Sequence, residues 1–343
     1  MKRPQSEPAF SRDEIALMVA VAELYHIHHK TQQEIARTLG TSRSKVSRLL
    51  TKAEKAGIVE VTVRNPYSNV DSLSQDLARV FQLEKAIVVP MTPDNDQLIT
   101  PALGRAAAQF ILSRMPRSTI VGVGRGASVN QTVEHLGRNV RLSPIVVPLT
   151  GGMGQQDMVF PAFENARRFA EYLGGSCAFI YAPALVRNKR LKESILSEEP
   201  SREAVELWDR LDWVLTGIGT VPLYRGLPDA TFRKALDNFV KEVNEMPVAD
   251  VCSWFILRDG RIPVTSRACC LISASPEQVR RASVRLALAG GLRKVEAILA
   301  ALRTGLITVL VTEERTAEAV LALNEKADKG QSAVEIGNSP ASA

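Results

Sequence analysis

The chain is poor in the residues that mark several classes of protein. Its four cysteines, at positions 177, 252, 269 and 270 of 343 residues, form no C-x-x-C pair and no zinc-ligand spacing. A chain of this length needs no disulfide staples, so they read as reduced, small hydrophobes. Histidine is equally scarce: His26, His28 and His29 cluster at the polar end of one helix and only His135 lies elsewhere, so no metal centre is expected. The longest apolar runs, near 15–22 and 306–312, fall short of the ~20 residues of a membrane helix. The start, MKRPQSEPAF, has no apolar core of secretory type. A cytoplasmic protein without membrane contact is expected. Hydrophobic residues at 45% and charged residues at 23% exclude a disordered or collagen-like chain.

Charge of one sign is also in short supply. Lys plus Arg number 43 against 37 Asp plus Glu, a net +6. The distribution is more informative than the total, because residues 1–66 hold a surplus of four and the other 277 residues are nearly balanced. Ser11 with Glu14, and Thr31 with Glu34, read as capping boxes opening two helices. Gly40 stops the second, and Ser42 caps a third whose Val46, Leu49, Leu50 and Ala53 fall on one face. Short helix, Gly turn and second helix form the helix-turn-helix pattern. Opposite the apolar stripe stand Ser44, Arg48, Thr51 and Lys55, flanked by Lys45, Ser47 and Lys52. Arg43, Ser44, Lys45, Ser47 and Arg48 are placed to enter a major groove, with Lys52 on phosphates and Gln32 at the start of the preceding helix added as a DNA contact. Val59 to Arg64 alternates as a strand ended by Asn65 and Pro66, the wing of a winged helix-turn-helix. A solvated basic helix is the plainer reading of the cations alone. Two capping boxes and the Gly turn shift the balance to double-stranded operator DNA.

Residues 67–84 read as a linker helix with Val70, Leu73, Leu77, Val80 and Phe81 at helical spacing, packing either on the next domain or on a second copy. From 85 to 331 strands alternate with helices, the signature of a mostly parallel α/β sheet. Expected strands are 86–90, 119–124, 144–149, 177–182, 213–218, 253–257, 268–273 and 307–312. Expected helices include 98–115, 127–136, 276–286 and 292–303. Residues 332–343 read as a flexible tail.

Glycines follow several of these strands: VGVGRGAS, TGGMG, TGIGT and AGGLRK. Parallel sheets place ligands beyond the carboxyl ends of their strands. Gly124, Gly126, Gly151, Gly152, Gly217 and Gly219, with hydroxyls from Ser128, Thr150 and Thr220, are therefore candidates for one anion-binding pocket. No loop is a Walker or dinucleotide fingerprint, and each by itself reads as an ordinary tight turn. Lys294, in a first helical turn after Gly290 and Gly291, is a cation where helices favour anions, and is read as a ligand contact. Arg125 and Arg293 share that placement but read as tolerated surface cations.

These residues together resemble the SorC-type family of bacterial sugar-responsive transcription regulators over nearly the whole chain. TQQEIARTLGTSRSKVSRLLTKAEKAGIVEV is similar to that family's winged helix-turn-helix. VGVGRGAS, VVPLTGGMG, YAPALV, TGIGTV, ADVCSWFILRDGRI and LALAGGLRKVEAILAALRTGLITVLVTEERTA follow its effector domain in order. The resemblance implies an effector domain of the phosphosugar isomerase and CoA transferase-like α/β type. It also implies binding of phosphorylated sugars or related metabolites and assembly as dimers, commonly tetramers. A phosphorylated sugar or polyol is the expected effector, and no catalytic residue or cofactor is expected. The family's ligand lysine falls on Lys294, and its glycine loops on Gly124, Gly126, Thr150, Gly151, Gly152, Gly217 and Gly219. The chain departs from the pattern at Arg125, where an aromatic is usual, and at Ser128, where Thr is. It has Phe255, Ile256 and Leu257 for a common F-F-D, and Thr312, Glu313 and Glu314 for TDE. A sugar-phosphate isomerase or transferase is the competing expectation. Asp157, Glu164 and Asp250 are its possible bases, but no spacing marks them as a pair.

Overall fold

The computed structural model describes residues 10–59, 69–90, 93–137, 140–153, 161–199, 201–221 and 230–337. The chain divides into two compact units, 1–66 and 67–343.

The first unit holds α1 (Arg12–Ala22), continued by a π-helical turn, α2 (Gln32–Thr38) and α3 (Arg43–Lys55). Apolar spacing dictates its core: Met18 and Val21 of α1, Ile35 of α2, and Val46, Leu49, Leu50 and Ala53 of α3 pack together. The Thr31 capping box is complete, with the Glu34 amide on Thr31 Oγ1 at 3.3 Å and the Thr31 amide on Glu34 Oε2 at 2.8 Å. The Ser11 box is only half made. Ser11 accepts from the Glu14 amide, but the Glu14 carboxylate turns to Lys52 of α3 at 2.6 Å. Gly40 takes φ +60°, the left-handed conformation that lets the chain turn between α2 and α3. The expected wing falls on 59–64, of which 60–64 lie outside the described residues.

The second unit opens with α4 (Val70–Val80), inside the expected 67–84. It continues through β1 (Lys85–Val89), α5 (Asp96–Arg114), β2 (Ile120–Val123), α6 (Ala127–Glu134), β3 (Ile145–Pro148), α7 (Ala162–Leu173) and β4 (Ser176–Cys177). Then come α8 (Lys189–Ser197), α9 (Ser201–Glu206), β5 (Trp213–Gly217), β6 (Gly219–Thr220), α10 (Ala230–Val243), β7 (Ala249–Val251) and β8 (Trp254–Ile256). The chain ends with α11 (Pro276–Arg281), β9 (Val284–Leu288), α12 (Val295–Arg303), β10 (Val309–Glu313) and α13 (Glu314–Gly337). Seven strands form one parallel sheet in the order β1-β10-β9-β5-β2-β3-β4. Both faces are buried, which is why its strands read as continuous apolar runs. Val121, Val123, Trp213, Leu215, Leu286 and Leu288 face α5, α6 and α7. Their neighbours Ile120, Val214 and Ala287 face the core shared with α4, α12 and α13.

Four expected elements differ. Strand 177–182 shrinks to Ser176–Cys177, because Pro148 ends β3 without an N–H and its carbonyl is taken by Trp208 Nε1 at 2.9 Å. Strand 253–257 belongs to a separate antiparallel sheet, β6-β7-β8, whose hairpin turns on Cys252 and Ser253, both at positive φ. Residues 266–270 form a 3-10 turn instead of a strand, and only single bridges, Leu271 to Leu185 and Ser273 to Thr150, follow it. The helix expected over 276–286 stops at Arg281, and β9 enters the middle of the sheet. Arg285 is tolerated there because its guanidinium donates to the carbonyls of Ala282 (2.6 Å) and Leu306 (2.8 Å). α13 also continues to Gly337, past the expected start of the tail at 332, because no proline or glycine interrupts 331–336.

Gly104, in α5, packs closely on α6: a Cβ there would lie 2.6 Å from the backbone carbon of Gln131. Helix propensity alone favours Gly104→Ala by about 1 kcal/mol. The contact reverses the sign, and Gly104→Ala is expected to lower stability by roughly 1 to 3 kcal/mol. Urea unfolding of the two proteins checks this, and a raised midpoint for the variant contradicts it.

Candidate functional site

Two surfaces carry chemistry, one in each unit. On α3, Arg43, Ser44, Lys45, Ser47 and Arg48 are all exposed, on the side away from the Val46, Leu49 and Leu50 stripe. Arg48 Nε rests on the Ser44 carbonyl at 3.3 Å, and Ser42 and Ser44 share a hydroxyl contact of 3.0 Å. Gln32 is half-buried at the first position of α2. Lys52 is the exception to the open face. It bridges to Glu14 and lies over the Phe10 ring, so it ties α3 to α1. Glu14, read as a capping residue from its spacing, gave no sign of this longer-range partner.

In the second unit a cavity of about 640 Å³ opens beyond the carboxyl ends of β9, β5, β2 and β3. The chain runs from β2 outward to β3 and β4, then returns to place β5 on the other side of β2. The cavity lies at this reversal, where the loops leaving adjacent strands diverge. Gly124, Gly126, Ser128, Thr150, Gly217, Gly219 and Lys294 all line it. Three other candidates do not. Gly151 donates to the Ile272 carbonyl, and a Cβ there would sit 2.6 Å from the Ala182 oxygen; Gly152 exchanges backbone bonds with Ala182 and Ala184. Thr220 pairs with Ala249 in the small sheet. All three hold the loops and stay out of the cavity lining.

Local structure aims the lining inward. Gly126 precedes α6 at φ +112° and leaves its first turn without a side-chain cap. The fully buried Asn165 of α7 supports this loop, donating to the Gly124 carbonyl at 3.2 Å and accepting from Asn130 at 3.3 Å. Gly291, at φ +96°, donates to Thr316 Oγ1 at 2.8 Å, which places the turn carrying Lys294. Lys294 Nζ then donates to the Ile218 carbonyl at 3.2 Å. Burial lowers its pKa from the ordinary lysine range, against the opposing pull of Asp96 and Asp250.

Several cavity residues gave no local signal in the sequence. Asp250 was visible only as a possible enzymatic base. In the fold its Oδ2 accepts from the Ser253 amide at 3.2 Å and stands 3.7 Å from Arg125, while the buried Oδ1 makes no hydrogen bond. Gly219 makes room for it, since a Cβ there would lie 1.9 Å from Oδ1. Arg125, read as a surface cation, is mostly buried in the lining, whereas Arg293 is exposed and paired with Asp96. Leu257, in the place of the F-F-D carboxylate, is buried in the core of the small sheet. The β7–β8 hairpin thus supplies its cavity carboxylate from Asp250. Thr216, Cys252 and Gln131, with Asp96, Gln97 and Thr100 from the start of α5, add to the polar lining. Burial pushes the Cys252 thiol up to about 12, so it acts as an inert wall group. Of the possible bases, Glu164 pairs with Arg167 away from the cavity and Asp157 lies outside the described residues. Among the described residues there is no cluster fit to hold a metal ion, and no helix long and apolar enough to cross a membrane.

Comparison with known proteins gives these two surfaces a context. A sugar-binding domain family model matches residues 65–322, and a Crp-like helix-turn-helix domain model matches residues 17–71. The sorbitol operon regulator of Klebsiella pneumoniae is 28% identical over 312 residues, covering 90% of this chain and 98% of that protein. The deoxyribonucleoside regulator of Bacillus subtilis is 27% identical over 315 residues, 90% of this chain and 98% of that protein. The crystal structure of the full-length Klebsiella regulator superposes with a TM-score of 0.72, covering 91% of this chain and 100% of that one at 28% identity. The sugar-binding match spans every loop that closes the cavity, and the chain therefore belongs to the SorC-type family of sugar-binding-domain transcription regulators.

Proposed function

We propose that the protein is a transcriptional regulator of a carbohydrate-utilisation operon, controlled by a phosphorylated sugar or polyol held in the cavity. The observation that carries this reading is a pair of unfinished charges in one enclosure. The half-buried Lys294 amine has a single carbonyl partner and shares the cavity with the uncapped start of α6, a setting that favours an anion. The buried Asp250 Oδ1, without a donor of its own, suits a ligand hydroxyl. A cation and a free helix start, with an acceptor-only carboxylate oxygen near them, suit a ligand that carries both a phosphate and hydroxyls, a sugar phosphate. Ser128, Thr150 and the backbone at Gly124, Gly126, Gly217 and Gly219 complete its contacts. Relatives named for sorbitol, deoxyribonucleosides and erythritol support the ligand class. Relatives named as regulators favour recognition over turnover. Arg43, Ser44, Lys45, Ser47 and Arg48 read operator DNA, Gln32 sits at its edge, and a homo-oligomer, dimer or tetramer, presents two such faces to a two-fold operator. Ligand changes DNA affinity only through unequal binding to two states of that oligomer.

Fluorescence anisotropy with DNA from the protein's own promoter tests the DNA face. Binding weakens with salt, and Arg43→Ala or Arg48→Ala each costs about 1 to 3 kcal/mol of affinity and narrows the preference for promoter over unrelated DNA. Unchanged affinity and preference in both variants removes these residues from the interface. For the cavity, thermal shift against matched phosphorylated and free sugars is expected to favour the phosphorylated form. Lys294→Ala should weaken it by roughly 10- to 100-fold, as expected for a lost charged hydrogen bond, and leave free polyols little changed. Equal losses for both ligand types would rule out a phosphate role for Lys294.

The ligand-free protein offers an independent check. Because burial lowers the Lys294 pKa in the folded state, the unfolded chain binds that proton more tightly, and the lysine destabilises the fold at neutral pH. The deficit shrinks as pH rises from the lowered folded value toward the ordinary value near 10.4. Lys294→Met should therefore melt a few degrees higher than the parent at pH 7, with the gap closing at alkaline pH. A variant that melts lower at pH 7 would show that the amine is well compensated without ligand.

A further inference from the structure

Outside both surfaces lies a pair of adjacent thiols that neither site uses. Cys269 and Cys270 close the 3-10 turn Ser266–Cys270, with their sulfurs 3.4 Å apart. Cys269 is exposed and Cys270 half-buried, and both are free thiols. The turn is well anchored: the Ser266 amide and hydroxyl bond to Glu242 of α10, the Cys270 carbonyl accepts from Val186 at 3.0 Å, and Cys269 Sγ lies 2.9 Å from the Ser266 carbonyl. Lys192 of α8 is close enough to both sulfurs to interact with them electrostatically. The two sulfurs are thus held side by side, on an accessible surface, by a backbone that has little freedom to separate them.

A disulfide is a poor use of this arrangement. Neighbouring Cα atoms across a trans peptide lie about 3.8 Å apart, below the ~4.4 Å minimum of ordinary disulfides. A bridge through one additional atom removes that conflict. With sulfur bonds of about 2.3 Å to a soft centre, a 3.4 Å separation subtends about 95°. That angle is narrower than the tetrahedral one of a structural zinc site, for which no third and fourth ligand exist among the described residues. It matches a three-coordinate, pyramidal metalloid. We propose that Cys269 and Cys270 form a chelating dithiol site for soft trivalent metalloids, with organoarsenicals as the chemical class. The step is a condensation without redox change: two S–H groups and the two hydroxyls of an arsenous acid, R–As(OH)2, give two S–As bonds and two waters. It consumes neutral thiols, so the raised pKa that burial gives Cys270 is no obstacle.

The other two cysteines supply the controls. Burial raises Cys252 to about 12 and Cys177 to about 11, and they are not adjacent to any second thiol. The full chain is titrated with phenylarsine oxide and followed by intact mass and by counting alkylatable thiols. One adduct per chain is expected, protecting two thiols, released by ethanedithiol and resistant to excess 2-mercaptoethanol. Cys269→Ser and Cys270→Ser should each weaken binding by about 100-fold or more, the loss of two-point attachment. Cys177→Ser should bind as the parent does. Tight binding that survives either serine variant, or release by 2-mercaptoethanol, would overturn the proposal. So would a Cys269–Cys270 disulfide as the main product of treatment with oxidised glutathione, since it would show that the turn does not resist closure.

Discussion

The parallel pairing of β5 with β2 at the centre of the large sheet is the constraint on which the cavity depends. These strands are neighbours in space but are separated in the chain by β3, α7 and β4, so the loops leaving them diverge and open a space between Gly124 and Gly217. Every other lining element is referred to that pair. β9 adds to β5 and brings Gly290 and Lys294, while β3 adds to β2 and brings Thr150. A register slip at this pairing would exchange the two buried faces of the strands as well as scatter the loops, and the apolar residues on both sides forbid it.

A second layer of structure holds the polar groups in place. Glu313, almost fully buried, accepts from the amides of Arg315 and Thr316 and from the Thr316 hydroxyl, which in turn accepts from Gly291. A carboxylate so deep in a core is tolerated because these donors replace water. The adjacent Glu314 accepts from the Asn69 amide at 2.9 Å, at the start of α4. The N-terminal turn of α13 thus fixes the Gly290–Gly291 loop through one carboxylate and the beginning of the linker helix through the next. This explains physically why two consecutive acids stand at the end of a fully buried strand.

The DNA-facing unit rests on different physics. Its small core is set by helical periodicity and its open face by charge position, both of which act over a few residues and are readable in order along the chain. Thr31 and Glu34 show the limit of local rules when they work, and Ser11 with Glu14 when they do not. The second pair has the same spacing, but a lysine 38 residues away competes for the carboxylate. Lys52, which periodicity puts at the flank of the free face, makes the same contact and stays half exposed.

The sequence by itself determined the helix-turn-helix and the parallel α/β class, and it pointed to strand-end loops, Lys294 among them, several of which line the cavity, because period, capping and strand-end glycines are local signals. It misread β9, since VRLALA carries a buried strand inside a stretch whose capping box and Pro276 announce a helix. It also placed 253–257 in the wrong sheet. Which of the glycine-loop residues face the cavity was decided only by tertiary structure: Gly151, Gly152 and Thr220 spend their hydrogen bonds on neighbouring segments. Asp250 and Arg125 entered the site the same way, brought together by a hairpin turn and a strand end that are 125 residues apart. Pairings between distant segments leave no periodic trace in either one, so the chemistry of the cavity became visible only when the sheet had closed around it.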